Sequence, residues 1–196
     1  SLTGMLPTEL GHMKALTLLM VDNNILTGPL PTELSQTFSM QQFFAENNSL
    51  TGTIPIEPTT WIDLQIFAVG DNKLTGPIPT EIGTWTSLTL FSTRNNRLTG
   101  TVPTELALCS SLRSLDLYNN SLFGTLPTEL SQLSALTQFS FQQNNLTGSV
   151  NDILCSDTMK TWEVLEGDCL GDERGQVEIE CECCTLCCNA NGSTCV

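Results

Sequence analysis

The sequence predicts an α/β repeat solenoid, in which equal coils of chain stack side by side. A Leu-Thr-Gly or Leu-Phe-Gly step recurs at a spacing of 24 residues, and a proline follows it at the same spacing. The steps begin at Leu2, Leu26, Leu50, Leu74, Leu98, Leu122 and Leu146, and the prolines are Pro7, Pro31, Pro55, Pro79, Pro103 and Pro127. A fixed period of this length is typical of repeats that bury their apolar faces only against their neighbours. We therefore predict one solenoid over residues 1–154.

Each coil contains a segment of the form Leu-x-x-Leu-x-Leu-x-x-Asn, with other residues at some of the leucine positions. The six copies occupy residues 16–24, 40–48, 64–72, 88–96, 112–120 and 136–144. Apolar residues alternate with variable ones around the central positions, as in a short strand with one buried face. We expect six parallel strands that form a narrow sheet along the solenoid.

An asparagine closes every one of these segments, where the chain turns inward. The six are Asn24, Asn48, Asn72, Asn96, Asn120 and Asn144. A buried turn must satisfy its backbone N–H and C=O groups, and an amide side chain supplies both a donor and an acceptor. We expect a structural ladder that joins neighbouring coils, with no catalytic member.

The rest of each coil predicts a tight bend and then a short helical turn. Glycine permits the bend, and the Pro-Thr-Glu-Leu motif follows, in which threonine suits the cap and glutamate the positive end of the helix dipole. In the third coil Ile56 and Pro58 replace the usual threonine and leucine, so we expect its back to bulge. The residues that follow the turn in successive coils are expected to form a buried column, in which Cys109 is a free thiol. Its members are Met13, Thr37, Trp61, Trp85, Cys109 and Leu133.

The combined pattern Leu-x-x-Leu-x-Leu-x-x-Asn-x-Leu-Thr-Gly-x-Ile-Pro-x-Glu-Leu resembles the plant-type leucine-rich repeats of receptor-kinase ectodomains and polygalacturonase-inhibiting proteins. The resemblance covers residues 1 to about 150. It implies a right-handed superhelix with a parallel concave sheet, short 3-10 or helical turns on the back, and a second short sheet from the Leu-Thr-Gly-x-Ile segments.

Eight of the nine cysteines lie in the acidic C-terminal segment, residues 155–196, where the repeat loses its period. They are Cys155, Cys169, Cys181, Cys183, Cys184, Cys187, Cys188 and Cys195. An even number favours disulfides in an oxidising compartment and predicts a disulfide-rich cap. We expect Cys155 to pair with Cys169 in a degenerate last coil, while the other six allow several connectivities. A zinc site of four thiolates is the alternative, although the separated Cys-x2-Cys pairs of common zinc modules are missing.

The tail motif Cys-x-Cys-Cys-x-x-Cys-Cys, together with the Pro-Thr-Glu-Leu form of the repeat, also resembles secreted leucine-rich-repeat proteins of diatoms and related algae. Four Asn-x-Ser/Thr sequons fit a secretory route and are candidates for glycosylation. They are Asn47, Asn119, Asn145 and Asn191. We therefore expect an extracellular, cell-surface or other oxidising secretory location.

The net charge of -14 argues against nucleic acid and anionic membranes as partners, because clustered cations are needed to bind both. No apolar run approaches the roughly 20 residues of a membrane-spanning helix. Ser1 lies inside a repeat, and a solenoid end needs a polar cap. We therefore expect an N-terminal cap to be missing from this chain.

The outward positions of the predicted strands differ from coil to coil, so they are where a ligand could be recognised. Five of them form an apolar patch over the first four coils: Leu18, Met20, Phe44, Ile66 and Leu90. Contiguous exposed apolar patches mark contact sites, although a missing N-terminal segment could cover this one. Beside the patch lie charged and aromatic candidates of the kind that anchor interfaces. These are Arg94, Arg113, Asp116 and Tyr118.

The motifs predict no enzyme, no cofactor and no metal site. His12 is the single histidine, and no nucleophile elbow, phosphate loop or metal-binding histidine pair is present. One non-enzymatic function is a binding module that recognises a protein, peptide or glycan through the concave face. The alternative is a structural or accessory subunit of a larger extracellular or lumenal assembly.

A weaker alternative is an ice-binding protein that presents a column of threonines. The column consists of Thr3, Thr27, Thr51, Thr75, Thr99 and Thr147. Phe123 interrupts it, and the twist that the family resemblance implies would spoil the flat surface that ice requires.

Overall fold

The computed structural model describes residues 1–55, 61–155, 161–169 and 179–187 of the 196-residue chain. Within these ranges the coils stack as the 24-residue period predicts. Five residues named above lie outside the described residues: Ile56, Pro58, Cys188, Asn191 and Cys195. The expected bulge of the third coil is therefore still a prediction, and so is the division of the chain at residue 155.

A parallel sheet of eight strands lines the concave side of the described solenoid. Its strands are β2 (Leu18–Met20), β4 (Gln42–Phe44), β6 (Ile66–Ala68), β8 (Leu90–Ser92), β10 (Ser114–Asp116), β12 (Gln138–Ser140), β15 (Val164–Gly167) and β17 (Leu186–Cys187). Phe43 pairs with Leu19 on one side and with Phe67 on the other, so the register advances by one repeat per strand. The first six strands confirm the predicted sheet, and β15 belongs to the degenerate last coil. The repeat pattern does not predict β17.

A second layer of very short strands forms from the Leu-Thr-Gly steps, as the resemblance implies, and one strand of the C-terminal segment joins it. Its members are β1 (Thr3–Met5), β3 (Ile25–Pro29), β5 (Ser49–Thr51), β7 (Thr75–Gly76), β9 (Arg97–Leu98), β11 (Phe123–Gly124), β13 (Asn145–Leu146), β14 (Gly148–Ser149) and β16 (Ile179–Glu180). In the described chain they pair as four separate small parallel sheets. The glycine of the step has a positive φ, 76° at Gly28, which other L residues rarely adopt.

Short 3-10 turns form the back of the solenoid. They are Thr8–His12, Thr32–Gln36, Thr80–Thr84, Thr104–Leu108 and Thr128–Gln132. The expected threonine cap is wrong, because an extended proline precedes each of these turns and no side chain caps it. Threonine is the first residue of the turn instead, and Thr104 Oγ1 donates to Glu105 Oε2 at 3.1 Å. Proline suits the preceding position because its fixed φ matches the extended backbone there.

Aromatic side chains stack through the core of the second to fourth coils. The ring of Phe67 lies between those of Phe43 and Phe91, with centroids 5.5 and 5.7 Å away. Trp61 and Trp85 stack beside them at 6.0 Å. All five rings are buried. Each of these coils thus packs its largest side chains on those of its neighbours, as a solenoid core requires.

The column that follows the 3-10 turns is buried from Thr37 onward, but Met13 is 50% exposed, contrary to the prediction. Met13 lies in the first coil, whose outer side no other described coil covers. Cys109 is buried with a free thiol, as expected, and the thiol donates to Ile82 O at 3.3 Å. The only polar atom of this side chain is therefore satisfied by the preceding coil.

The asparagine ladder forms as predicted, and Asn48 shows its geometry. Asn48 Nδ2 donates to Ala45 O in its own coil at 3.2 Å and to Val21 O in the preceding coil at 3.0 Å. Asn48 Oδ1 accepts from Leu26 N at 2.9 Å, again in the preceding coil. The bond to the preceding coil recurs at Asn72, Asn96, Asn120 and Asn144. Each of these amides therefore ties its own turn to the coil before it.

Three disulfides stabilise the described part of the C-terminal segment: Cys155–Cys183, Cys169–Cys187 and Cys181–Cys184. The expected Cys155–Cys169 pair is wrong. A disulfide requires Cα atoms within about 7 Å, and the observed long-range partners have Cα atoms 5.4 and 5.0 Å apart.

Strand pairing explains why these cysteines meet. β14 pairs with β16, and Glu182 N donates to Asn151 Oδ1 at 2.7 Å, which brings Cys183 against the π-helical turn Asn151–Cys155. In the concave sheet, Gly167 on β15 lies opposite Cys187 on β17. Two of the disulfides therefore fasten one coil to the next instead of closing a coil on itself.

Candidate ligand-binding face

The outward side of the concave sheet brings the predicted apolar residues into neighbouring strands. Leu18 and Met20 on β2 are 44% and 61% exposed, and Met20 lies opposite Phe44 on β4. In the row of Leu18 the next residue is Gln42 on β4, and Ile66 on β6 and Leu90 on β8 follow it; both are half-buried. Because alternate residues of a strand share a face, these five side chains form the apolar patch, which extends from the first coil to the fourth.

An ion-paired cluster lies just past the ends of these strands. Arg94 Nε donates to Asp71 Oδ2 at 3.1 Å, and Arg94 Nη2 lies 3.6 Å from Glu46 Oε1. Gly70 lies between Glu46 and Arg94 in the repeat, and a Cβ there would lie 2.8 Å from Arg94 Cγ. The missing side chain thus allows Arg94 to reach back across two coils. Its charge is already matched by carboxylates of the protein.

Asp116 on β10 lies further along the same face and is half-buried. Burial raises the pKa of its carboxyl group above the usual value. A hydrogen bond from Tyr118 N to Asp116 Oδ1, at 3.2 Å, and the charge of Arg94 oppose this shift, whereas the negative charges of Glu166 and Glu46 add to it. The net effect is that the ionised form of Asp116 is disfavoured in the folded protein.

Glu166 on β15 is oriented by two side chains of the β12 coil. Its Oε2 accepts from Ser140 Oγ at 3.0 Å and from Gln142 Nε2 at 2.6 Å. Ser140 lies between Asp116 and Glu166 in the register of the sheet. The two carboxylates therefore border one strand, and a cationic group placed over β12 would meet both of them. We call Asp116 and Glu166 the acidic site.

The remaining predicted residues differ in their relation to the acidic site. Tyr118 follows β10, occupies the repeat position of Arg94 and is half-buried. Arg113 is exposed and lies one residue before β10. Because it is three residues before Asp116, strand alternation does not place the two side chains on the same face. The 24-residue period does not find Glu166, because it follows its register partner Ser140 by 26 residues. The two extra residues of the last coil are the signal that could have located it.

Three of the four sequon asparagines are in the described chain, and all three are exposed. Asn47 Nδ2 donates to Asn23 Oδ1, and Asn119 Nδ2 donates to Asn95 Oδ1, in each case one coil back. Asn145 lies on β13, in the second layer of strands. A glycan at Asn47 would border the ion-paired cluster, whereas one at Asn145 would leave the concave face free.

The sulfur atoms of Cys155, Cys181 and Cys183 lie within 4.8 Å of one another. All three are bonded in disulfides, so they offer no thiolate to a metal ion. The zinc alternative would require these disulfides to be reduced first.

Comparison with known proteins agrees with this architecture. A family model described as Leucine Rich Repeat matches residues 111–133. The structure of the plant peptide hormone receptor RGFR1 in complex with RGF2 is similar with a TM-score of 0.76 and 37% identity, over 78% of this chain. The fold is a leucine-rich-repeat solenoid.

Two further solved structures are similar to this leucine-rich-repeat solenoid. The LRR ectodomain of the plant membrane receptor kinase GASSHO1/SCHENGEN3 from Arabidopsis thaliana, in complex with CASPARIAN STRIP INTEGRITY FACTOR 2, has a TM-score of 0.76 and 30% identity over 78% of the chain. PEPR1 with AtPEP1 has a TM-score of 0.73 and 31% identity over 76%. The solenoid spans 24%, 18% and 21% of RGFR1, GASSHO1/SCHENGEN3 and PEPR1, respectively.

A search of curated proteins finds no match to the sequence. Among the described residues, no helix has the length and hydropathy of a membrane span.

Proposed function

We propose that the protein is a non-enzymatic binding module whose concave face recognises an extended peptide with an apolar part and a basic part. The observation that carries this proposal is the order of side chains along the face. The apolar patch occupies the first four coils, and the acidic site formed by Asp116 and Glu166 follows it. A peptide that crosses the strands would meet the apolar side chains first and the carboxylates next.

The charge of the face supports a basic ligand. Arg94 is matched by Asp71 and Glu46, whereas Asp116 keeps a carboxylate at a half-buried position that raises its pKa. A carboxyl group whose pKa is shifted by burial is characteristic of functional sites. A lysine or arginine of the ligand would stabilise the ionised carboxylate of Asp116. Binding would thereby offset the free energy by which burial disfavours that ionised form.

The similar solved structures support a peptide as the ligand class. RGFR1 is a plant peptide hormone receptor and was solved in complex with RGF2. This chain is 37% identical to it over the matched region and shares its solenoid. Because this chain matches 24% of RGFR1, the peptide as ligand class is taken over from that receptor by analogy alone.

The test is to select dodecapeptides from a random phage-displayed library on the purified protein and to measure the affinity of the selected peptides by fluorescence anisotropy. We expect sequences that combine apolar residues with lysine or arginine. Phe44→Ser and Asp116→Asn should each weaken binding by about tenfold or more, as for anchor residues of interfaces.

Matched controls separate the face from the rest of the surface. Phe38→Ser removes a ring that is 54% exposed on the back, and Asp63→Asn removes an exposed carboxylate outside the concave sheet. Neither should change the affinity. Selected peptides that lack basic residues, or that bind all four variants equally, would contradict the proposal.

We further propose an oxidising secretory or extracellular location, because the three disulfides form and persist in such compartments. Treatment of the protein from its native source with a peptide N-glycosidase tests this. We expect a loss of mass at one or more of Asn47, Asn119 and Asn145. An unmodified protein with free thiols at Cys155 and Cys183 would contradict the location.

The alternative, a subunit of a larger assembly, uses the same apolar patch as a permanent interface. Isolation of the native protein in a complex of fixed stoichiometry would favour this alternative. A free monomer that binds the selected peptides would favour the binding module.

A further inference from the structure

A groove of about 700 Å³ lies on a different side of the solenoid from the concave sheet. It runs between the Leu-Thr-Gly steps and the 3-10 turns, across four successive repeats from Thr53 to Phe123. Its floor is apolar and includes Ile54, Ile78 and Val102. A second groove, of about 470 Å³, continues along the first three coils and shares Thr53 with the first. No residue of the concave strands lines either groove.

Phe123 lines the larger groove at a position where the repeat carries threonine. The other described coils have exposed threonines here, whereas the ring of Phe123 is 49% exposed. The scaffold therefore does not need an aromatic residue at this point. Aromatic anchors of interfaces are exposed in the free protein and become buried in the complex. An exposed ring beside an apolar floor has this character.

Two carboxylates line the opposite wall of the larger groove. Glu81 Oε2 and Glu105 Oε2 accept hydrogen bonds from Thr80 and Thr104 at 3.3 and 3.1 Å, and neither glutamate has an ion-pair partner among the described residues. None of the described residues of this groove is a lysine or arginine. The groove is thus apolar at its base and acidic along one side.

These features determine which kind of partner fits. A second copy of this chain, with its net charge of -14, would bring more negative charge to the acidic wall. A basic segment would neutralise the wall, and apolar side chains of the same segment would cover Phe123 and the floor. We propose that the larger groove, which we call the lateral groove, docks an extended basic segment of a partner protein. In this segment lysine or arginine alternates with apolar residues.

The experiment uses a fluorescein-labelled decapeptide of alternating lysine and leucine, its glutamate–leucine counterpart, and fluorescence anisotropy at physiological salt. Phe123→Thr installs the residue that the repeat carries in the neighbouring coils, so the fold should be kept, and an unchanged Tm checks this. We expect Phe123→Thr to weaken binding of the lysine peptide by about tenfold. Glu105→Gln should weaken it by about threefold, because this charge is near the surface and partly screened.

The chain offers a matched control for each variant. Phe38→Thr removes another exposed ring, and Glu129→Gln removes the glutamate of the same column in the next coil, outside the lateral groove. Both should bind the lysine peptide as the native protein does. Because the concave face is also proposed to bind basic, apolar peptides, Phe123→Thr is measured in the Asp116→Asn background as well, where it should weaken the remaining binding of the lysine peptide by the same factor.

Three results would overturn the proposal. These are native affinity of Phe123→Thr, equal binding of the glutamate peptide, and displacement of the lysine peptide by a neutral oligosaccharide. If the native affinity of Phe123→Thr is accompanied by loss of binding in Asp116→Asn, the peptide binds to the concave face instead.

Discussion

Asn72 Nδ2 donates to Ala45 O at 2.9 Å, although the two residues are 27 positions apart in the chain. The same nitrogen donates to Val69 O and Gly70 O at 3.1 and 3.0 Å, while Asn72 Oδ1 accepts from Leu50 N at 2.9 Å. Asn72 is only 9% exposed. One side chain thus satisfies four backbone groups in two coils, away from water.

We expect Asn72→Ala to lower the free energy of unfolding by about 2 kcal/mol, because Leu50 N would lose its acceptor and the carbonyls of Ala45, Val69 and Gly70 would each lose one donor. Asn24→Ala is the matched control in the first coil, where the side chain is half-buried and water can replace it. Its cost should be about 1 kcal/mol. Urea unfolding followed by tryptophan fluorescence measures both values. Equal costs would contradict the view that the ladder matters most where it is buried.

Asp116→Asn should increase the free energy of unfolding at pH 7. Burial raises the pKa of Asp116 in the folded state above its value in the unfolded chain. The protonated form therefore favours folding at acid pH, and this contribution is lost as the pH rises through the raised pKa. The amide variant has no such loss, so its advantage should shrink as the pH falls below the ordinary aspartate range.

Thermal unfolding of the native protein and Asp116→Asn between pH 3 and pH 8 tests this, with exposed Asp63→Asn as the control. A variant that is less stable than the native protein at pH 7 would show that Arg94 stabilises the charge more than burial disfavours it. Greater stability together with weaker peptide binding would be the trade-off expected of a functional residue.

The periodic parts of the structure could be predicted from the sequence because each coil repeats the same pattern of buried, turn and hydrogen-bonding residues. The Leu19–Phe43–Phe67 register, the Asn48 ladder and buried Cys109 all follow from a spacing of 24 residues. The aperiodic parts could not be predicted in the same way. Cys155 finds Cys183 only because β14 and β16 pair, and that pairing depends on a segment with no repeat signature.

The candidate binding face could also be predicted from the sequence only in its periodic part. Strand alternation places Met20 and Phe44 on one face without any knowledge of contacts. It does not show that Arg94 reaches over Gly70 to Glu46, because that contact depends on the absence of a side chain in the intervening coil. Nor does it place Glu166, whose position depends on an insertion in the last coil.

Cys109 should resist thiol reagents in the native protein. Burial raises its pKa from 9.0 to about 12, and the thiol donates to Ile82 O, so almost no thiolate exists at pH 8. We expect iodoacetamide to leave Cys109 unmodified until the chain is unfolded in guanidinium, as measured by mass spectrometry of its peptide. Modification in the native state at the rate of a free cysteine would contradict the buried position.

The same group gives a stability prediction at alkaline pH. The raised pKa means that the folded state keeps the thiol protonated where the unfolded chain has lost the proton. The stability that this protonated thiol contributes is complete below pH 9 and is lost as the pH rises towards about 12. Cys109→Ala should therefore lose less stability than the native protein between pH 9 and pH 11. Parallel loss in the two proteins would assign the alkaline change to other groups.

The two long-range disulfides should carry most of the stability of the C-terminal segment, because they fasten successive coils. In the chain-entropy relation a disulfide stabilises more as its loop lengthens. This gives about 3 to 4 kcal/mol for Cys155–Cys183, whose partners are 28 positions apart, and about 2 kcal/mol for Cys181–Cys184, whose partners are 3 positions apart. We expect Cys155→Ser/Cys183→Ser to be less stable in urea than Cys181→Ser/Cys184→Ser. Peptide mapping without reduction should recover Cys155 linked to Cys183, and recovery of Cys155 linked to Cys169 would show that the coil closes on itself instead.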